Sequence, residues 1–279
     1  MQDPRLALQE LFEARYGEAL GVSTQTPGLD LIYSMASRGS CRSFLDAPVP
    51  QDLLDILCAT ALASPTKSDL QQRDIILVQS PRLRQRLSSF VSDQSWVADA
   101  PMIMVFCGNN RRQRLLHEWH DITFANAHLD AFFNAVGDAA IALGAFVTAA
   151  EAIGLGCCPI SAVRNEAKAV SELLGLPDHV FPFAGLALGF PSDTAKVAKR
   201  LPLQVTCHVD RYQDDALREV VNGYDETRSK AQPYKNQRFP RIFGEKDSYV
   251  WSDDKVRQYS QPERSDFGEY VRSIGFDLG

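Results

Sequence analysis

Apolar positions at Leu8, Leu11, Phe12 and Ala19 share one helical face, so residues 5–20 read as a helix. The mostly polar break Gly21 to Gly28 separates it from a second helix over about 29–37. Arg38 to Phe44 is a connection that Pro48 and Pro50 close, and Asp52 to Ala63 then reads as a helix with Leu53, Leu54, Ile56 and Leu57 inward. Ser64 to Gln71 is a loop by composition. Asp74–Gln79 and 102–107 are short, nearly continuous apolar runs, the pattern of strands covered on both faces, with a helix over 81–91 between them.

The most informative stretch is 124–153. Phe124, Leu129, Phe132, Phe133, Val136, Ile141, Leu143, Phe146, Val147 and Ile153 cover more than one face, and Ala and Gly fill most of the rest. A helix apolar nearly all round is expected to be buried on all sides, at the centre of the fold or in a subunit interface. Gly154-Leu155-Gly156 ends it. Cys157–Val163 reads as a short extended segment, Arg164–Leu174 as a helix and Phe181–Leu188 as a third buried strand. Leu203, Val205, Cys207 and Val209 alternate, which predicts a fourth strand. From 210 onward the chain is charged and aromatic, too weakly apolar for a core of its own. The expectation is one domain, 1–279, with 210–279 a C-terminal extension wrapping the body or a partner subunit.

With 279 residues, 45% of them apolar, a sizeable core needs neither metals nor disulfides. A net charge of −6 argues against nucleic acid or an anionic membrane surface as partner. The most apolar stretch, Ala139 to Ala150, falls short of the roughly 18 residues of a membrane span. The polar start Met1-Gln2-Asp3-Pro4-Arg5 is no signal peptide. Six cysteines without a CxxC pair, most of them in apolar stretches, indicate buried thiols in a reducing, cytoplasmic setting, and the adjacent Cys157 and Cys158 read the same way. GxGxxG, GxxxxGK[ST] and GxSxG are absent. His117 and His120 stand three apart with no third ligand at usable spacing, so solvated helix positions are favoured over a metal site.

Four segments carry positive chemistry. In Arg38-Gly39-Ser40-Cys41-Arg42-Ser43-Phe44, two guanidiniums four positions apart can converge on one phosphate through paired charge-assisted hydrogen bonds, and Ser40 can add a hydroxyl; surface arginines near a helix end are the other reading. Ser64-Pro65-Thr66-Lys67-Ser68-Asp69-Leu70-Gln71 is a polar loop between helix and strand, or an ordinary turn. Gly154-Leu155-Gly156 runs through Ile160-Ser161-Ala162 to Arg164-Asn165, where helix capping is the alternative role. Ala198-Lys199-Arg200-Leu201-Pro202 is the fourth.

In order and spacing these segments resemble the FMN-dependent nitroreductase family: its opening Arg/Ser cluster, its A-P-S-x-x-N-x-Q loop, its G-L-G…I-G-G-x-R-N segment and its K-x-R-L-P segment. The resemblance spans about 30–275 and is nearest to the larger oxygen-insensitive NADPH nitroreductases and flavin reductases. It implies an α+β fold, a mainly antiparallel sheet flanked by helices in an intertwined homodimer, with FMN as cofactor and NAD(P)H as cosubstrate. Arg38, Gly39, Ser40, Arg42, Lys199 and Arg200 would then hold phosphate and ribityl. Thr66, Asp69, Gln71, Gln94, Ile160, Ser161 and Ala162 would surround the ring. Asp69 stands where the family has Asn, Ser161-Ala162 where it has two glycines, and Lys199 is shifted by one. The implied reaction is ping-pong hydride transfer to a nitro compound, quinone or similar small electron acceptor. Flavin reduction, a dedicated pathway dehydrogenase and non-catalytic flavin binding are the alternatives. Arg228, Lys230, Lys235, Arg238 and Arg241 offer a basic lid for an NADPH phosphate, against the commoner role of a solvated charged surface.

Overall fold

The computed structural model describes residues 3–23, 25–91, 94–194 and 196–279; Met1, Gln2 and Thr24, part of the polar start and of the first polar break, lie outside the described residues. In chain order the helices are α1 (Pro4–Tyr16), α2 (Leu29–Ser37), α3 (Gln51–Leu62), α4 (Pro81–Ser89), α5 (Arg111–Trp119), α6 (Leu129–Ala152), α7 (Ala167–Leu174), α8 (Leu203–Thr206), α9 (Leu217–Ala231), α10 (Pro240–Phe243), α11 (Trp251–Gln258) and α12 (Phe267–Ser273). The strands are β1 (Arg73–Val78), β2 (Met102–Asn109), β3 (Gly156–Ile160) and β4 (Val180–Gly189). The chain divides into two compact units, Met1–Gly39 with Lys196–Glu263, and Ser40–Ala195 with Arg264–Gly279.

The larger unit holds the sheet. Its order is β1-β2-β4-β3, antiparallel throughout, with Arg73 opposite Gly108, Met102 opposite Leu188 and Ile160 opposite Gly185. Both central strands are buried along almost their whole length, as their continuous apolar runs require. On one face, Phe106, Leu186 and Leu188 pack with Leu54, Leu57, Ala142 and Phe146 from α3 and α6; on the other, Val105, Cys107 and Ala187 pack with Leu87 and Val170 from α4 and α7. The chain's last residues belong to this unit too: Tyr270, Val271 and Phe276 are buried with Phe181 and Ala135.

One strand expectation is corrected. Leu203–Val209 is not a strand: Pro202 caps the one-turn helix α8, and the alternating residues find no strand to pair with. The fourth strand is β3, inside the segment read as extended, and its Pro159 is tolerated because one side of an edge strand's backbone makes no ladder bonds.

The long helix begins at Leu129 and not at Phe124, and it is not buried all round. Its buried residues, Ala131, Ala135, Asp138, Ala139, Ala142, Leu143, Phe146, Val147 and Ala150, form one seam. Leu129, Phe133 and Ile141 on other faces are exposed. Among the described residues this one helix is long and apolar enough to cross a membrane by length and composition, contrary to the reading of its apolar stretch as too short. Its seam faces the protein core and carries a carboxylate.

Candidate functional site

In the smaller unit, residues far apart in the sequence meet around a buried arginine. Arg15, on the last turn of α1, is only 5% exposed. Its guanidinium donates to the carbonyl of Arg38 (2.7 Å) and to that of Ala198 (3.2 Å), while its own carbonyl accepts the N–H of Arg200 (2.7 Å). One side chain thus ties the segment of Arg38 and Gly39 to that of Lys199 and Arg200. Gln232 on the end of α9 adds a bond to the carbonyl of Val197 (2.9 Å), and the Tyr224 hydroxyl donates to that of Lys199 (3.3 Å). Burial is the main cause holding the Tyr224 phenol above its ordinary range, so it stays a neutral donor. Arg15, Lys199, Arg200, Tyr224 and Thr227 line a cleft of about 200 Å³ in this unit.

The basic lid is in the same unit. Arg238 pairs with the buried Asp254, and Arg228 lies over the Tyr234 ring while donating to the carbonyl of Gln232. These two stabilise the unit itself, and Lys230, Lys235 and Arg241 are exposed, the solvated pattern.

The sheet unit carries the rest. The Cys41 N–H donates to the carbonyl of Cys157 (2.9 Å), which lays Ser40–Arg42 along the start of edge strand β3. Gly156 permits this approach, since a Cβ there would stand 2.6 Å from the Cys41 sulfur. Arg42 is exposed, with its guanidinium 5.8 Å from the centre of the Trp96 ring, in the short turn that Gln94 opens. At a rise of about 3.3 Å per residue, Ser161 lies about 13 Å further along β3 than Cys157. Ile160 is buried, Ser161 exposed and Ala162 half-buried, so the small residues present themselves at the strand's end.

The loop of Thr66, Asp69 and Gln71 lies elsewhere. It leads into β1, the opposite edge of the sheet from β3, and three strand spacings of about 4.8 Å separate the two. Its ends are held from α6, where Asp138, 2% exposed, accepts the N–H groups of Lys67 and Gln72. One copy of the sheet unit therefore brings Ser40, Arg42 and Ile160–Ala162 along one edge and leaves the loop at the other.

Arg15 and Asp138 escaped the reading of the sequence. Asp138 did carry a signal, since it is the lone charged residue between Ala131 and Ala150. Arg15 carried none, because an arginine in the last turn of an amphipathic helix is ordinary.

Burial pushes the Cys41, Cys58 and Cys107 thiols up, away from the thiolate a nucleophile needs. Among the described residues no cluster of metal-ligating side chains is present.

The nitroreductase family model matches residues 35–190, and the model of that family's C-terminal domain matches 199–279. This chain belongs to the nitroreductase family. It is 32% identical over 252 residues to an FMN reductase [NAD(P)H] of Bacillus subtilis, covering 89% of this chain and 98% of the relative. It is 30% identical over 239 residues to an oxygen-insensitive NADPH nitroreductase of Salmonella typhimurium, covering 85% and 94%. A solved structure, the hypothetical oxidoreductase YcnD from Bacillus subtilis, superposes with a TM-score of 0.81 at 30% identity over 89% of this chain and 98% of that one. The α+β nitroreductase fold expected from the resemblance is thereby shown.

Proposed function

We infer that this nitroreductase-family chain is an FMN-dependent oxidoreductase that uses NAD(P)H to reduce a small electron-poor acceptor, a nitro compound or quinone. The carrying observation is the Arg15 tie, which holds the two segments bearing Arg38 and Arg200 side by side. A phosphate is the ligand such a pair suits, through parallel charge-assisted hydrogen bonds. Lys199 adds charge, and Gly39 leaves the backbone uncovered beside Arg38. Ser40 and Arg42 are assigned to the same phosphate and ribityl chain. Ile160, Ser161, Ala162 and Gln94 are assigned to the ring, where an exposed serine followed by a half-buried alanine allows close approach.

FMN held there would supply hydride transfer between nicotinamide and acceptor. The protein's part is to bind and orient. Free flavin as acceptor is the second reading, favoured by the relative named FMN reductase.

The working form in this reading is a homodimer. Thr66, Asp69 and Gln71 sit across the sheet from Ser161, so a second copy supplies them to the ring, and the exposed Leu129, Phe133 and Ile141 of α6 form the contact. Residues 210–279 are read as the C-terminal extension of one domain, and its last stretch packs on the sheet unit, with Tyr270 and Phe276 buried with Phe181. Six free cysteines fit a cytoplasmic setting.

The test is an absorbance spectrum of the purified protein followed by anaerobic titration with NADPH and NADH. Yellow protein bleached by either is the expected result; colourless protein that takes up no added FMN overturns the assignment. Ser161→Gly should keep FMN and shift its reduction potential, because a hydroxyl at the ring stabilises one redox state over the other. An unchanged potential would place that hydroxyl away from the ring.

A further inference from the structure

Three non-glycine residues within one loop hold left-handed backbone: Ser68 at φ 48°, Asp69 at φ 55° and Gln71 at φ 51°. That region is sterically disfavoured for an L side chain, and Asp tolerates it better than Ser or Gln. Such conformations persist where the surroundings over-determine them. The surroundings here are main-chain clamps from three elements. Asp138 of α6 accepts the Lys67 N–H on Oδ1 and the Gln72 N–H on Oδ2, both at 2.8 Å. Gln113 of α5 donates to the carbonyl of Leu70 (2.9 Å). The buried Arg73 donates to the carbonyls of Leu62 (2.7 Å) and Ser64 (3.1 Å), anchoring the chain as it enters the loop.

Asp138 is the member of this set whose presence needs a reason. A carboxylate on the buried seam of an otherwise apolar helix is unfavourable unless hydrogen bonds satisfy it. Both its oxygens are used on N–H groups five residues apart, so one rigid group sets the span between the two ends of the strained turn. Inside the turn, the Gln71 side chain donates to Asp69 (3.1 Å), so the two polar groups are coupled to each other.

We propose that Asp138 is a positioning residue for the flavin site: it holds Ser68–Gln71 in the left-handed turn that presents Thr66, Asp69 and Gln71 to the cofactor. The proposal rests on the flavin reading above. Asp138 acts through the loop and touches neither cofactor nor substrate.

The test is Asp138→Asn, which keeps the shape but turns an amide NH2 toward a main-chain N–H. In the holoprotein, hydrogen exchange of the Lys67 and Gln72 amides should quicken about tenfold, the equivalent of ~1.4 kcal/mol, with β2 and β4 amides unchanged. FMN affinity should fall by a similar factor and the visible spectrum of the bound flavin should shift. Adding Ser68→Gly, which removes the steric demand of the left-handed turn, should restore part of the affinity. Wild-type spectrum and affinity despite fast loop exchange would overturn the proposal, as would unchanged exchange. Wild-type protein decides the matter even if the variant does not fold, because rapid exchange of Lys67 and Gln72 in the holoprotein would show the clamp does not hold. Wild-type protein that binds no FMN defeats the flavin reading itself; the exchange data still report separately on the clamp.

Discussion

Protein carrying Arg38→Ala together with Arg200→Ala is expected to leave purification colourless, with its affinity for added FMN reduced about 10²–10⁴-fold. The magnitude follows from the bonds removed. A hydrogen bond to a charged group contributes ~1.5–3 kcal/mol, and two lost bonds correspond to that range of affinity at ~1.4 kcal/mol per tenfold. Arg200 is exposed and Arg38 half-buried, and the bonds from Arg15 to the carbonyl of Arg38 and from the N–H of Arg200 to Arg15 are made by main-chain atoms that the substitutions keep. Flavin fluorescence titration reads the affinity and circular dichroism the fold. Undiminished yellow occupancy in the folded double variant would remove the phosphate from this pair of segments.

The second large effect concerns assembly. Phe133→Glu with Ile141→Glu should leave a monomer at micromolar concentration and abolish FMN retention. In a single chain these side chains are 67% and 44% exposed. A carboxylate forced into an apolar contact without a partner carries a desolvation penalty of several kcal/mol, so two per subunit should raise the dimer dissociation constant at least ~10³-fold. Sedimentation velocity measures the assembly. FMN should be lost along with it, because the Thr66–Gln71 loop lies on the opposite edge of the sheet from Ser161. A variant that stays dimeric would move the interface off this face of α6. A monomer that keeps its flavin would mean one copy suffices.

Local pattern was a reliable guide wherever burial is continuous. The apolar runs of β1, β2 and β4 are strands where the sequence placed them, and the two central ones are buried almost throughout because helices cover both faces of the sheet. The pattern failed at Leu203–Val209, where alternation without a neighbouring strand is only a coincidence of spacing. At β3 the segment read as extended is a strand, and its Pro159 is tolerated because the strand lies at the sheet edge. The run over 129–152 was recognised as a helix, but which of its apolar residues stay uncovered depends on how far α3 and the sheet reach around it.

From the order of residues along the chain came the element types, the absence of nucleophile and metal motifs, and the four polar segments whose spacing marks the family. Those are properties of periodicity and composition, which each stretch carries within itself. The three-dimensional fold alone decided which segments meet: that Arg15 joins Arg38 to Arg200, that Asp138 spans the loop before β1, and that this loop and Ser161 end on opposite edges. Such meetings are set by strand order and by buried polar groups seeking partners far away in the chain, and neither leaves a local periodic trace.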